Sequence, residues 1–169
     1  MSQAGYKTIF AIATPPGRSA IAVIRISGPL ASDAPALFGA ACPLAGQFSV
    51  ARLVLDKQVI DQVILLFMKA PFSSTGEDVC EIHCHGSRAV IDALLARLGA
   101  EDGFAMAQPG EFTRRGFMNG KMDLSGVEGL ADLIEAETAT QLHQAWAQID
   151  GALRAPVIAW RGELVGIAG

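Results

Sequence analysis

The segment from residue 109 to residue 124 combines a tight turn with an unusual density of ionisable side chains. It opens with Pro109-Gly110 and places two Arg, one Lys and two carboxylates among apolar neighbours. A segment that only filled a core would not carry so many charges, because each buried charge needs a partner. We therefore expect a turn followed by a short helix that ends near Gly120 and serves function as well as structure.

The chain before this segment alternates β-rich runs with helical stretches. A two-residue turn, Asp56-Lys57, predicts that the third and fourth strands form a hairpin. Ser32 is expected to cap a short helix, and Gly86-Ser87 to open a longer one that Gly99 closes. Strands are predicted at residues 7–13, 20–27, 48–55, 59–68, 78–85 and 103–107. This order predicts an α+β domain, a mixed sheet with flanking helices, over residues 1–120.

The character of the sequence changes at Leu124. Residues 125–128 have capping-box spacing, and apolar residues then recur at helical intervals. The pattern predicts one helix of more than twenty residues, with Gly151 as the candidate break. We interpret residues 121–169 as the start of a second, helical domain and the chain as a fragment of a longer protein. The apolar stripe comprises Val127, Leu130, Ile134, Leu142, Ala145, Ile149 and Leu153.

Composition and motif content exclude several classes of protein. The net charge of −4 gives no overall basic footprint for nucleic acid. No apolar run approaches the roughly 18 residues that a membrane span needs, and no signal peptide is visible, so we expect a cytoplasmic protein. A phosphate-binding G-x-x-x-x-G-K-[ST] loop is absent from the sequence, which predicts that this chain alone does not hydrolyse GTP. With 51% hydrophobic residues, some apolar surface is expected in a subunit interface.

The cluster of cysteine and histidine at residues 80–85 has the residue types of a metal site. However, it lies in a predicted strand, where Cys80 and Cys84 would point to one face and His83 and His85 to the other. A tetrahedral site needs ligands that converge on one point. We therefore predict no metal there, and three cysteines do not suggest a disulfide framework.

Three residues are candidates for ligand binding. Arg25 lies within an apolar strand, so it is either on a solvated face or an anion-binding group. Glu81 is either an exposed or ion-paired strand residue, or a carboxylate that accepts two hydrogen bonds from an amino-heterocycle. Lys121 is either an ordinary solvated lysine or a second anion contact. Together they suit a ligand with a guanidine-like ring at one end and carboxylates at the other.

The sequence resembles the amino-terminal part of the tRNA modification GTPase MnmE (TrmE) family over almost its whole length. The motifs are ATPPGR at 13–18 with VIRISGP at 23–29, TGEDVCE at 75–81 with HG at 85–86, PGEFT at 109–113 with NGKMDL at 119–124, and ADLI at 131–134. The match is not complete. Ser19-Ala20 and Ser87 replace glycines that are usual in the family, and glycines at 116, 126 and 129 replace alanines.

The resemblance implies a domain similar to the folate-binding part of aminomethyltransferases. That domain forms a homodimer and binds 5-formyltetrahydrofolate or methylenetetrahydrofolate, with contacts that fall on Arg25, Glu81 and Lys121. The family's helical domain carries an inserted G domain, which needs GTP, magnesium and potassium. With an MnmG-like flavoprotein, the complex modifies carbon 5 of the wobble uridine in tRNA. Two alternatives are a stand-alone aminomethyltransferase-like folate protein and a pure dimerisation scaffold.

Overall fold

The computed structural model describes residues 7–151, together with Trp160 and Glu163. Contacts divide the chain into two compact units, the first ending at Arg115 and the second beginning at Gly116. The assignment of residues 1–120 to a folate-binding and dimerisation domain, and of residues 121–169 to a helical domain, stays a prediction. Among the described residues, no helix is both long enough and apolar enough to cross a membrane.

The first unit is built on one mixed sheet. Its strands are β1 (Thr8–Ile12), β2 (Ser19–Ser27), β3 (Phe48–Leu55), β4 (Gln58–Met68), β5 (Val79–Gly86) and β6 (Phe104–Met106). They lie in the order β3-β4-β5-β2-β1-β6. Only the β1–β6 pair is parallel. The predicted α+β class and all of the predicted strands are confirmed, with ends that shift by no more than one residue.

The hairpin between β3 and β4 turns on two residues with positive φ, Asp56 at 50° and Lys57 at 65°. Positive φ at both central residues is the geometry of a type I′ turn, whose twist matches that of the flanking strands. The predicted hairpin is therefore confirmed.

One face of the sheet packs against helix α1 (Arg88–Gly99) and a short 3₁₀ helix (Ala34–Phe38). The side chains of Ile24, Leu65, Ile82 and Leu94 are completely buried in this core. Apolar residues at every second position of β2, β4 and β5 supply the sheet's side of it, as the period of a strand requires.

Two helix ends differ from the sequence prediction. The short helix follows Asp33 as its cap residue, not Ser32, and Pro35 near its start favours the tight first turn. Helix α1 runs through Gly99, and its cap residue is Ala100 in the right-handed conformation. Gly99 therefore does not close the helix by the left-handed turn that glycine usually provides.

Over residues 124–149 the structure has two helices, α3 (Leu124–Glu135) and α4 (Ala139–Ile149), where the sequence predicted one long helix. That prediction is wrong because Ala136 is extended and Thr138 starts a new helix through a capping box with Gln141. The predicted start of α3 also needs correction. Asp123, not Ser125, caps α3 by accepting a 2.9 Å hydrogen bond from the Gly126 N–H. Beyond Gly151, only Trp160 and Glu163 are described, both as helical, and the rest of the predicted continuation lies outside the described residues.

Gly129 allows α3 and α4 to approach closely. A Cβ atom added there would lie 2.9 Å from Cβ of Gln148 and 3.0 Å from the carbonyl oxygen of Ala145. Glycine inside a helix costs about 0.5–1 kcal/mol relative to alanine. At this position the close packing explains why glycine, and not alanine, fits the helix pair.

Candidate ligand-binding site on the outer face of the sheet

Side chains alternate between the two faces of β2 and β5, and this alternation separates the core from a polar site. Ile24 and Ile82 belong to the core, whereas Arg25, Glu81 and His83 lie on the opposite face, which we call the outer face. Arg25 is directly opposite Glu81 in the antiparallel β2–β5 register. Strand pairing thus brings together two predicted site residues that are 56 positions apart in sequence.

Glu81 is held by partners on both of its carboxylate oxygens. Nε and Nη2 of Arg25 each lie 2.8 Å from Oε1, and Nε2 of His83 lies 3.1 Å from Oε2. The Glu81 side chain is 10% exposed, whereas those of Arg25 and His83 are 33% exposed. The Glu81 carboxylate is therefore nearly buried, whereas the side chains of its two partners are half-buried. Arg25 lies in an apolar strand, where a charge needs a partner, and Glu81 is that partner.

Apolar side chains surround this carboxylate in the neighbouring strands. Leu66 of β4 lies opposite Glu81. His83 is flanked in register by Val23 of β2 and Ile64 of β4. A few charged and polar groups beside apolar side chains are the usual composition of a small-molecule site.

An aromatic ring lies over the guanidinium group of Arg25. Helix α2 (Glu111–Met118) places the Phe112 ring 5.8 Å, measured to its centroid, from the guanidinium carbon of Arg25. This is within the range of a cation–π contact, which favours one orientation of the guanidinium group. Phe112 belongs to the charged segment of residues 109–124, so that segment contributes directly to the site.

A buried arginine network anchors the start of α2 to the sheet. Nη1 of Arg115 donates to both carboxylate oxygens of Glu77, at 3.3 and 3.1 Å. Nη2 of Arg115 donates to Glu111 Oε1 and to the carbonyl oxygen of Lys7, both at 3.0 Å. The Arg115 side chain is only 5% exposed. The network therefore fixes α2, and with it Phe112, against the first unit.

Glu77 also connects this network to β2. Ser27 Oγ donates to Glu77 Oε2 at 2.6 Å and lies 2.8 Å from Thr75 Oγ1. Burial by itself would raise the pKa of Glu111, but hydrogen bonds from the Gln108 N–H and from Arg115 outweigh it, so the pKa is lowered. Glu111 is thus held in its charged form.

No role was predicted for Arg115 or Glu77 from the sequence, although Arg115 lies in the charged segment 109–124 and Glu77 in the motif at 75–81. The spacing of Glu111 and Arg115, four residues apart in a predicted helix, was a usable signal for an ion pair. Nothing local connects Glu77 to Arg115, because they are 38 positions apart. Only the fold shows that the charges of the two motifs neutralise each other.

Lys121, the third predicted site residue, belongs to the second unit. It follows α2 in a turn where Gly120 has a φ of 70° and the Lys121 N–H donates to the carbonyl oxygen of Gly116 at 2.8 Å. The structure brings together Arg25 and Glu81, whereas the place of Lys121 in the same site stays a prediction.

The cysteine and histidine cluster on β5 divides between the two faces. Burial raises the pKa of the Cys84 thiol to about 11 and also raises that of Cys80, so both thiols are protonated core groups. On the outer side, His83 contacts Glu81, and Nδ1 of His85 lies 2.7 Å from Asp61 Oδ1. Within residues 7–151, Trp160 and Glu163, no group of three or more His, Cys, Asp or Glu side chains is placed to hold a metal ion.

Comparison with known proteins identifies a family that the chain matches. A family profile described as "GTP-binding protein TrmE N-terminus" matches residues 8–121. The chain belongs to this family. The match includes Arg25, Glu81 and Lys121, as well as the side chains of the arginine network, Glu77, Glu111 and Arg115.

Relatives in this family support the same assignment. A protein named "tRNA modification GTPase MnmE" from Methylobacterium sp. (strain 4-46) is 51% identical over 164 residues, which is 95% of this chain and 37% of that protein. Proteins of the same name from Parvibaculum lavamentivorans and Caulobacter vibrioides are 50% and 49% identical over 94% of this chain, and the matches span 37% and 35% of their lengths. The chain therefore spans little more than a third of these curated relatives.

Proposed function

We propose that the outer face of the sheet binds a one-carbon tetrahydrofolate, either 5-formyltetrahydrofolate or methylenetetrahydrofolate. Glu81 anchors the pterin by accepting hydrogen bonds from its 2-amino group and the adjacent ring N–H. Arg25 and Lys121 hold other polar or carboxylate groups of the ligand. The observation that carries the proposal is the nearly buried Glu81 carboxylate, which is paired with Arg25 across two neighbouring strands.

The surroundings of Glu81 suit a pterin better than a simple cation. A pterin is a flat ring that presents two neighbouring N–H donors, and a carboxylate matches such a pair with its two oxygens. Ile64, Leu66 and Val23 offer apolar surface to the faces of the ring. The Phe112 ring lies over the Arg25 guanidinium group, which is the partner of Glu81. A small inorganic cation would need several oxygen ligands at one point.

We further propose that this chain is the amino-terminal part of a tRNA-modifying GTPase, as its relatives are named. In that role it acts in the cytoplasm with an MnmG-like flavoprotein and with tRNA on carbon 5 of the wobble uridine. GTP, magnesium and potassium are handled by a G domain elsewhere in such a protein. The family membership and the identity of about 50% to the relatives support this proposal.

Homodimerisation is part of the same proposal. The β3–β4 hairpin forms one edge of the sheet and exposes large apolar side chains, with Phe48 70%, Val50 61% and Val59 60% exposed. Such a patch at an open edge is a hazard unless a partner covers it. We expect a two-fold symmetric dimer with an interface above about 1,000 Å². Analytical ultracentrifugation at micromolar concentration tests this, and a monomer throughout would contradict it.

Calorimetric titration with 5-formyltetrahydrofolate tests the folate site. Glu81→Gln keeps the shape of the side chain but replaces one acceptor oxygen with a donor, so the pterin N–H pair loses a partner. We expect this change to weaken binding by roughly ten- to a hundredfold, as for a charged hydrogen bond. Arg25→Ala and Lys121→Ala should weaken binding less, because more solvated contacts contribute less.

The control is a second ion-paired glutamate of the same unit. Glu101 pairs with Arg97 of α1 at 2.7 Å and takes no part in the Glu81 cluster. Glu101→Gln should therefore leave folate binding unchanged. Equal affinity of the unmodified chain and Glu81→Gln would show that Glu81 is not the pterin anchor.

A further inference from the structure

A groove with basic walls lies at the end of β5, and we call it the basic groove. In the β2–β5 register Ser19 is opposite Gly86, so the loop before β2 brings Arg18 to this end of β5. The groove has a volume of about 490 Å³, and its ionisable lining groups are Arg18, His85 and Arg88. Among the described residues that line it, none carries a carboxylate. The basic groove therefore favours an anionic group.

Asp61 holds His85 in place at the wall of the groove. Its Oδ2 accepts a 2.8 Å hydrogen bond from the His85 backbone N–H, and its Oδ1 lies 2.7 Å from Nδ1 of the ring. Burial alone would raise the pKa of Asp61, but hydrogen bonds from His85 and Gln62 outweigh it and lower the pKa. The charged carboxylate can only accept, so Nδ1 carries the shared hydrogen. Nε2 of this ring, which is 71% exposed, is the nitrogen that remains for a ligand.

The two arginines of the groove differ in what already holds them. Arg18 is exposed and forms no ion pair with any carboxylate in the part of the chain that the structure describes. Arg88 is 91% exposed and lies 3.5 Å from Asp92 in a solvated pair, which contributes little. Arg18 is therefore the main anion contact, and its planar guanidinium group matches the two oxygens of a carboxylate.

The basic groove lies in line with Glu81 along β5. Glu81, His83 and His85 are on the same side of the strand, because side chains alternate between its faces. Four residues of extended strand separate Glu81 from His85 by roughly 13 Å. A reduced folate has a similar length, since a fused ring, a methylene link, a phenyl ring and an amide separate its 2-amino group from its glutamate. A pterin bound at Glu81 therefore lets the glutamate reach the groove.

The surface between Glu81 and the groove suits the phenyl ring of a folate. His83 lies there, flanked in register by Val23 and Ile64. The Ile64 side chain is 45% exposed, so it offers apolar surface to a ligand. Pterin anchor, apolar middle and basic end thus follow one another along the strand in the order of the parts of a folate.

We infer that the basic groove binds the glutamate tail of the folate, with Arg18 paired to a tail carboxylate and the His85 ring in contact with the same tail. The inference rests on the proposed folate function and deepens it, because it gives the bound ligand a direction along β5. Arg25 is then left to meet polar atoms of the ring system beside Glu81.

Calorimetry with two ligands separates the tail from the pterin. They are 5-formyltetrahydrofolate and 5-formyltetrahydropteroyl amide, in which an amino group replaces the glutamate. We expect the unmodified 169-residue chain to bind the folate about fivefold more tightly than the amide, as for a solvated ion pair. Arg18→Gln should remove most of this preference and leave affinity for the amide within about twofold. Arg18→Lys keeps the charge and should retain part of the preference.

The control is an arginine at the other end of α1. Arg97 pairs with Glu101 at 2.7 Å and does not line the groove. Arg97→Gln should therefore leave the affinities for both ligands unchanged. NMR of the His85 ring supplies a second readout, since its resonances should shift with 5-formyltetrahydrofolate and stay nearly in place with the amide.

The outcomes separate the tail from the pterin anchor. Equal affinity of the unmodified chain for the two ligands would overturn the inference and leave the pterin anchor at Glu81 intact. A preference for the folate that Arg18→Gln retains in full, or equal losses for both ligands in that variant, would overturn it as well. Binding of neither ligand to the unmodified chain would overturn the proposed function and the inference with it. Loss of the preference in Arg18→Gln but not in Arg97→Gln would support the inference.

Discussion

The two faces of the same strands carry different chemistry. On β5, Ile82 is completely buried in the apolar core, whereas Glu81 and His83 form a charged cluster on the outer face. On β4, Leu65 is fully buried and its neighbour Ile64 is 45% exposed. The core face needs only apolar volume, while the outer face depends on particular partners. Substitutions on the core face should therefore change mainly the stability of the fold, whereas substitutions on the outer face should change mainly ligand binding.

Truncation of neighbouring residues on β4 tests this difference most strongly. Leu65→Ala removes a fully buried side chain and should lower the free energy of unfolding by roughly 2–5 kcal/mol, because a cavity remains. Ile64→Ala is the matched control on the outer face and should cost about 1 kcal/mol or less, since much of its surface already contacts water. Urea denaturation of both variants measures the two values, and equal losses would contradict the distinction.

The arginine network lies outside the apolar core, yet its charges should matter for stability because the Arg115 side chain is buried. Arg115→Met leaves the buried carboxylate of Glu77 without its cation and should cost roughly 3–5 kcal/mol, as for other broken buried pairs. Arg114→Met changes a neighbour that is 67% exposed and should alter stability by no more than about 0.5 kcal/mol. Thermal unfolding of both variants provides the comparison, and a neutral Arg115→Met would show that the network does not anchor α2.

A third, smaller effect should appear in acid. The pKa of Glu111 is lowered in the folded chain, where hydrogen bonds from Gln108 and Arg115 outweigh the effect of burial. The unfolded chain therefore takes up a proton at higher pH than the folded one, and stability falls as the pH drops below the ordinary carboxyl range of about 4.

Glu111→Gln should make the stability curve flatter in that range, because the variant has no carboxyl to protonate there. Denaturant midpoints between pH 7 and pH 3 would measure the change. The remaining slope should come partly from Asp61, whose pKa is lowered by hydrogen bonds from His85 and Gln62 despite the opposing effect of burial. An unchanged slope in Glu111→Gln would argue against the network as its source.

The sequence predicted the elements of the first unit because their signals are local. Strand alternation, the Asp56-Lys57 turn and the Pro109-Gly110 start of α2 each depend on a few neighbouring residues, and all three appear in the structure. The prediction of one continuous helix in the second unit failed for a local reason as well. Thr138 and Gln141 form a capping box that the continuous apolar pattern concealed.

The candidate site could be predicted only in part. Arg25 and Glu81 stood out because each is a charge in an apolar strand, but their direct pairing depends on the β2–β5 register. In the sequence, His83 stood out only as one member of a cysteine and histidine cluster. Its contact with Glu81 follows from strand alternation, but the sequence does not show which face of the strand points away from the core. Glu77 and Arg115 meet through the packing of α2, which has no local signal.

The most direct test of the account is an NMR titration of the labelled chain with 5-formyltetrahydrofolate. We predict that the resonances of the Arg25 Nε–H, the His83 ring and the Ile64 methyl groups shift in proportion to bound ligand. The methyl groups of Leu65 and Ile82, on the other face of the same strands, should stay nearly in place. Saturable shifts confined to the core face, or none at either face, would contradict the assignment of ligand recognition to the outer face.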